Sequence, residues 1–249
     1  LFVLINFNRM KRYCFALLVF GLLSAASGYS QSVSAEEVLE KAIAFHDPNG
    51  NWQSLQATFK VVMETPNSPE RISVIQLDFP KQEFNLDVSQ GDHTYSYQIQ
   101  DTSCEITLNG SKEYTQKEAE QFKLSCERGN FMKDYYTYLY GLPMKLNDPG
   151  TNLDPKTEKK TFEGKDYLAL KVTYDAEIGK DTWYFYFDPT TYAMEVYQFY
   201  HDENKNDGEY IILKGLETIE GIKMPKTRAW YMNKDDKYLG TDTLSKEAQ

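Results

Sequence analysis

The sequence predicts a mainly β chain of the α+β kind, built on one large, strongly curved antiparallel sheet with helices packed against it. Three observations carry this. About a dozen short segments rich in Val, Ile, Tyr, Phe and Trp recur at near-even spacing between hairpin-forming turns. Aromatic residues make up 14% of the chain, with 19 Tyr and 14 Phe against only 3 His, which favours strands and apolar contact over catalytic chemistry. Only two stretches carry helical periodicity, too few to wind parallel βαβ units. The 249 residues suffice for one large core, and 41% hydrophobic with 26% charged residues is ordinary globular composition. A net charge of −10, with no basic run beyond the extreme N-terminus, argues against nucleic acid or anionic membrane surfaces as partners.

The N-terminal residues have the parts of a cleavable secretory signal. Lys11 and Arg12 form a charged start, Phe15–Leu23 an apolar centre, and Ser24–Ser30 a small, turn-rich end. The apolar centre is shorter than the roughly 20 residues that span a bilayer. Met10 is then the natural start and the nine residues before it an over-extended gene reading; the competing reading is one long N-terminal anchor. Cleavage after Ser30, preferred to Ser27, makes 1–30 the signal region and 31–249 a single domain. Arg9, Lys11 and Arg12 leave with it, so the 27 basic residues fall to 24 against 37 acidic ones, a balance of −13. No Cys stands at the cleavage region, so the product is expected to be periplasmic or secreted, soluble and monomeric. Cys14 leaves with the signal, and Cys104 and Cys126 remain as an even pair in an oxidising compartment. A bridge between them would contribute roughly 3 kcal/mol; the alternative is two unpaired buried thiols. Neither has a second Cys or His at ligand spacing, so no metal and no cofactor are expected.

Along the mature chain, Ser34 with Glu37 reads as a capping box opening a helix. Val38, Leu39, Ala42, Ile43 and Phe45 form its apolar stripe, and Asp47-Pro48-Asn49-Gly50 stops it. Strands follow at Gln53–Glu64, Arg71–Phe79, Glu83–Ser89, Thr94–Gln100 and Glu105–Leu108. Residues 115–142 return to helical character, with Asn130 as N-cap and Phe131, Tyr135, Tyr138 and Leu142 as the stripe. Leu146–Asp154, rich in Pro, Gly and Asp, reads as a link. A second run of strands comprises Lys160–Phe162, Tyr167–Tyr174, Thr182–Phe187, Ala193–His201, Glu209–Thr218, Met224–Asn233 and Tyr238–Leu244. Asp188-Pro189-Thr190-Thr191 is a turn, and pairing Phe187 with Met194, Phe185 with Val196 and Trp183 with Gln198 collects a dry face. That face holds Trp183, Phe185, Phe187, Met194 and Val196. Tyr184, Tyr186, Glu195, Tyr197 and Phe199 take the other.

Three local patterns point further: Trp52-x-x-Leu55-x-Ala57-x-Phe59 after the first helix, Phe187-Asp188-Pro189 followed by Tyr192, and Gly221-Ile222-Lys223-Met224-Pro225 leading into a strand. In these the chain resembles the LolA/LolB-like outer-membrane lipoprotein-sorting superfamily, and more closely its uncharacterised secreted bacterial relatives. The resemblance implies a half-barrel with helices on its concave, apolar side, and a lipid, acyl chain or lipoprotein as ligand.

The chemistry-bearing residues have simpler readings. His46 complements the end of its helix and His93 sits in a turn. His201, Asp202 and Glu203 are consecutive, so on a strand they diverge. Asp202–Glu209 fails as a calcium loop, with Asp207 at position 6 and Leu213 at position 12, and reads as a hairpin using Asp207-Gly208. A lipocalin-like closed barrel, suggested by Gly50-x-Trp52, is the rival fold, against which Pro48 and the helical region speak. The expected function is binding or carriage of an apolar ligand without enzymatic activity. Trp183, Phe185, Phe187, Met194 and Val196 would line the cavity, with Phe131, Tyr135 and Tyr138 closing over it. Two alternatives are an envelope interaction module with a filled core and a glycan hydrolase using paired carboxylates.

Overall fold

The structure, a computed structural model, describes residues 33–247; the expected signal segment and cleavage site lie outside the described residues. Twelve strands form one antiparallel sheet. They are β1 Gln56–Thr65, β2 Ser68–Asp78, β3 Glu83–Gln90, β4 His93–Gln100, β5 Ser103–Leu108, β6 Thr151–Phe162, β7 Lys165–Tyr174, β8 Thr182–Phe187, β9 Met194–Asp202, β10 Asp207–Ile219, β11 Ile222–Met232 and β12 Tyr238–Lys246. Their spatial order is β5-β4-β3-β2-β1-β12-β11-β10-β9-β8-β7-β6, so the sheet is open, with β5 and β6 as its edges. Among the described residues the one pairing between strands not adjacent in sequence is β1 with β12. The helices are α1 Ala35–His46, α2 Gln116–Phe122 and α3 Cys126–Gly141.

Apolar residues of α1 and α3 join one core with the inward residues of nearly every strand, including Phe59, Ile75, Leu86, Tyr97, Phe185, Phe187, Ile211 and Leu244. The inner face is therefore filled from both helices. A smaller cluster lies on the outer face, where Tyr167, Ala169, Tyr184, Tyr186 and Val196 pack with Phe162 and Tyr200. Its tyrosines keep their hydroxyls on polar partners: Tyr167 on Glu195, Tyr184 on Glu203 and Tyr186 on Gln198.

The three sequence patterns meet in one place. His46 ends α1 fully buried, with Nδ1–H donating to Lys223 O and Nε2 accepting the N–H of Met194. Its role is thus to pin α1 to β9 and β11, beyond the expected interaction with the end of its own helix. Asp188 accepts from the N–H groups of Thr190 and Thr191 and pairs with Lys165, which fixes the turn before β9. Glu220 and Gly221, both at positive φ, make the turn into Ile222 and Met224, and Asn51 Nδ2 donates to Glu220 O.

Several expectations are corrected. The register of β8 and β9 starts at Phe187 and Met194 but then shifts, so Phe185 faces Tyr197 and Trp183 faces Phe199. Glu195 is the extra residue of a bulge, and the Met194 N–H goes to His46 instead of the ladder. The shift sends Val196 to the outer cluster and brings Tyr197 and Phe199 inside. The helical region 115–142 is two helices. Lys123, at φ 56°, ends α2, and Ser125, not Asn130, caps α3 by accepting the Arg128 N–H. Strand β6 extends back through the expected link to Thr151, because an edge strand tolerates Pro155 within an irregularity between Leu153 and Thr157. The β9–β10 loop turns at Glu203–Asn206, and Gly208 follows at a register shift, where an added Cβ would collide with Phe199 O.

Candidate ligand-binding site

Helix α3 is the element laid over the inner face, and its sequence shows why it stays there. Met132, Tyr136, Leu139 and Tyr140 recur at helical spacing and are buried. The buried stripe is thus one residue on from the expected one. Phe131 is 53% exposed and does not close over the interior; Tyr135 and Tyr138 flank the stripe, half-buried. At its start α3 is tied to β5 by a Cys104–Cys126 disulfide. Three polar contacts hold its length: Tyr136 donates to Ser73 Oγ at 2.9 Å, the Tyr138 and Tyr174 hydroxyls meet at 2.6 Å, and Arg228 Nη2 donates to Leu139 O at 3.2 Å.

Arg228 is fully buried on β11, its guanidinium 4.0 Å from the centre of the Tyr140 ring, with Nη1 donating to Pro225 O. Asp242 is its partner across β12, and Met63 and then Arg71 continue the same row onto β1 and β2. The row Arg71–Met63–Asp242–Arg228 thus crosses four adjacent strands on the inner face. Burial raises the Asp242 carboxyl above its ordinary value, with Arg228 and Arg71 opposing the shift. Burial also pushes the Tyr135, Tyr138 and Tyr140 hydroxyls well above theirs, so these are neutral hydrogen-bonding groups at any physiological pH.

The seam beneath α3 is incompletely satisfied. Tyr140 OH, Tyr197 OH, Arg228 Nε, Trp230 Nε1 and Asp242 Oδ1 are all buried without a hydrogen-bond partner. Native interiors leave few such atoms, and each costs about 1–3 kcal/mol. Here they gather around one helix–sheet contact. Beside it, where α2 and α3 meet β2–β4, lies a small cavity of about 50 Å³. The sheet contributes Arg71, Leu86, Val88, Tyr95 and Tyr97 to its walls, the helices Phe122, Arg128 and Met132, and Lys123 lines it at the end of α2. Tyr97 donates to Lys123 O, and its hydroxyl is pushed up to about 12, chiefly by burial.

Of the expected lining residues, Trp183, Phe185, Phe187 and Met194 come together on the inner face. Trp183 lies parallel to Phe185 at 6.0 Å and meets Tyr138 of α3 at 5.8 Å. Val196 and Phe131 lie elsewhere. Phe185 and Phe187 have no exposed surface, so this part of the interior is occupied by the chain's own side chains. Arg71, Arg228 and Asp242 were not anticipated, although a signal was present: Arg71 shares the period-two face of Ser73, Ile75 and Leu77, and Asp242 that of Leu244. His201 pairs with Asp181, Asp202 with Lys205 and Glu203 with Lys171, so the three consecutive candidates diverge.

A protein-family model described as a family of unknown function (DUF6503) matches residues 11–247. No curated protein matches the chain. Among solved structures the chain is similar to a LolA superfamily protein from Nitrosomonas europaea, at 13% identity and a TM-score of 0.47, covering 88% of this chain and 95% of that one. It is similar also to an outer-membrane lipoprotein-sorting protein domain from Vibrio parahaemolyticus, at 13% identity and TM-score 0.46, covering 85% and 92%. A DUF1329 family protein from Desulfovibrio piger matches at 9% identity and TM-score 0.46, covering 84% and 90%.

Proposed function

This chain belongs to the DUF6503 family, whose function is unknown, and we propose that it is an exported, non-enzymatic binding protein that takes up the acyl chain of a lipid between α3 and the inner face of the sheet. The observation that supports this reading is the row of unpartnered buried polar atoms beneath α3, set beside fully apolar packing around Phe185 and Phe187. A ligand enters by lifting α3, which is tethered at its N-terminal end by the disulfide and elsewhere by side-chain contacts. Residues 31–249 then act as one domain, with Trp183, Phe185, Phe187, Met194, Tyr135 and Tyr138 near the path of the chain.

Magnitudes limit which ligands suffice. Burying a methylene contributes about 0.8 kcal/mol, so a tetradecyl chain gains about 11 kcal/mol gross and an octyl chain about 6. Micromolar affinity corresponds to about 8 kcal/mol, which leaves about 3 for displacing α3 with the longer chain and none with the shorter. Calorimetric titration with tetradecanoate should therefore give saturable micromolar binding, and octanoate none. Equal responses, or none to either, would remove the carrier reading.

The buried state of Phe185 and Phe187 favours a second reading, an envelope interaction module whose core is permanently filled. Phe185→Asp places a charge in this packed region, but does not by itself separate the two. The variant is expected to be destabilised under either reading, because Phe185 is fully buried, so the wild type decides: a carrier gives a saturable tetradecanoate response, and a filled core gives none.

A further inference from the structure

The basic residues of the chain are sorted by type. Residues 31–249 contain three arginines, Arg71, Arg128 and Arg228, and all other basic side chains there apart from histidine are lysines. All three arginines stand at the space under the helices: Arg228 beneath Tyr140, and Arg71 and Arg128 in the wall of one cavity. Lys123 also lines that cavity, whereas other lysines make surface pairs with Glu37, Asp78, Glu105, Asp188, Glu195 and Glu203. Arginine's planar fork suits two-point contact with a carboxylate or phosphate, which a lysine cannot reproduce.

Among the described residues, neither Arg71 nor Arg128 has a carboxylate within salt-bridge distance, and no side-chain hydrogen bond occupies either guanidinium. Arg71 Nε is buried and has no partner at all. The carboxylate nearest in register, Asp242, lies two strands away and is shared with Arg228. Arg128 rests on the Phe131 ring at 4.7 Å, with its side chain half-exposed. A chain of strongly acidic balance thus keeps two guanidiniums without a salt-bridged carboxylate in the wall of one small cavity. The remaining walls are the apolar Leu86, Val88, Phe122 and Met132, with Tyr95, Tyr97 and Lys123 beside them.

We infer that Arg71 and Arg128 form the head-group site of the ligand, which is an anionic amphiphile: a carboxylate or phosphate is held in this cavity while its chain runs beneath α3. This rests on the acyl-binding reading above and adds the ligand's charge. Phe131 gains a role as the platform that keeps Arg128 over the opening.

The test compares tetradecanoate, tetradecyl phosphate and tetradecanol on the mature protein, with inorganic phosphate and acetate as chainless controls. The two anionic amphiphiles should bind more tightly than the alcohol. Arg71→Gln should weaken them by roughly 10- to 100-fold, as the loss of a charge-assisted hydrogen bond requires, while leaving the alcohol unchanged. Arg128→Gln should do the same, and unfolding curves check that both variants stay folded. Rank order between carboxylate and phosphate identifies the head group. Equal affinity for acid and alcohol, insensitive to both substitutions, would overturn this inference and leave acyl binding standing. Inorganic phosphate binding as tightly as its tetradecyl ester would overturn it in favour of a free-anion site. Failure of every amphiphile, the alcohol included, would remove the acyl-binding reading itself.

Discussion

A single imidazole shows how far a side chain's meaning depends on its neighbours. His46 was legible as the last residue of a helix, and it is one. What sequence could not show is that Lys223 O and the Met194 N–H converge on its two nitrogens from strands about 150 and more residues away. That geometry demands the neutral ring, and burial lowers its folded-state pKa from 6.5 to about 4. The unfolded chain therefore takes up the proton first as pH falls. The contribution of His46 is complete above about pH 6.5 and is lost progressively down to about pH 4, at most about 3 kcal/mol. His46→Gln, which keeps a donor and an acceptor but does not titrate, should flatten that part of the stability curve. Urea unfolding at pH 7 and pH 4.5 measures it; an unchanged slope in the variant would place the acid sensitivity in other groups.

For whole elements, alternation and turn chemistry were readable and local register was not. Every strand was located, but the single bulged residue Glu195 exchanged Val196 for Tyr197 on the inner face. Nothing in the residues around it announces that a histidine far upstream will take the Met194 N–H. The stripe of α3 was likewise misplaced by one position, because a helix with aromatic residues on several sides has no clear dry face until its cap is known. The cap is Ser125, one residue before Cys126, and the Cys104–Cys126 bridge joins that helix start to β5. Protein secreted from an exporting host should begin at Gln31 by intact mass and offer no alkylatable thiol before reduction. Replacing both cysteines by serine should then cost about 3 kcal/mol by the loop-entropy argument. It should also raise amide exchange in α2 and α3 more than in β8–β11. Uniform exchange throughout would mean that the bridge does not govern the stability of α2 and α3.

At the scale of the molecule, an open sheet of twelve strands poses a problem that a closed barrel does not: it has two unpaired edges. Both are blunted. β5 has six residues, and the chain after it folds back so that the Leu108 N–H donates to Ser111 O. β6 is long, yet it carries Pro155 at its irregular point, a bridge from Ser34 to Lys156 over its first half, and Lys159 and Lys160 further along. The Pro/Asp-rich composition that made this stretch read as a linker is the same composition that suits an edge strand. The wild-type domain should accordingly be monomeric by light scattering. Straightening and neutralising the edge with Pro155→Val and Lys159→Thr should favour edge-to-edge pairing and a concentration-dependent dimer, with the melting curve of the monomer little changed. A wild type that is already dimeric, or a variant that stays monomeric at high concentration, would show that these residues are not what keeps the edge closed to a second copy.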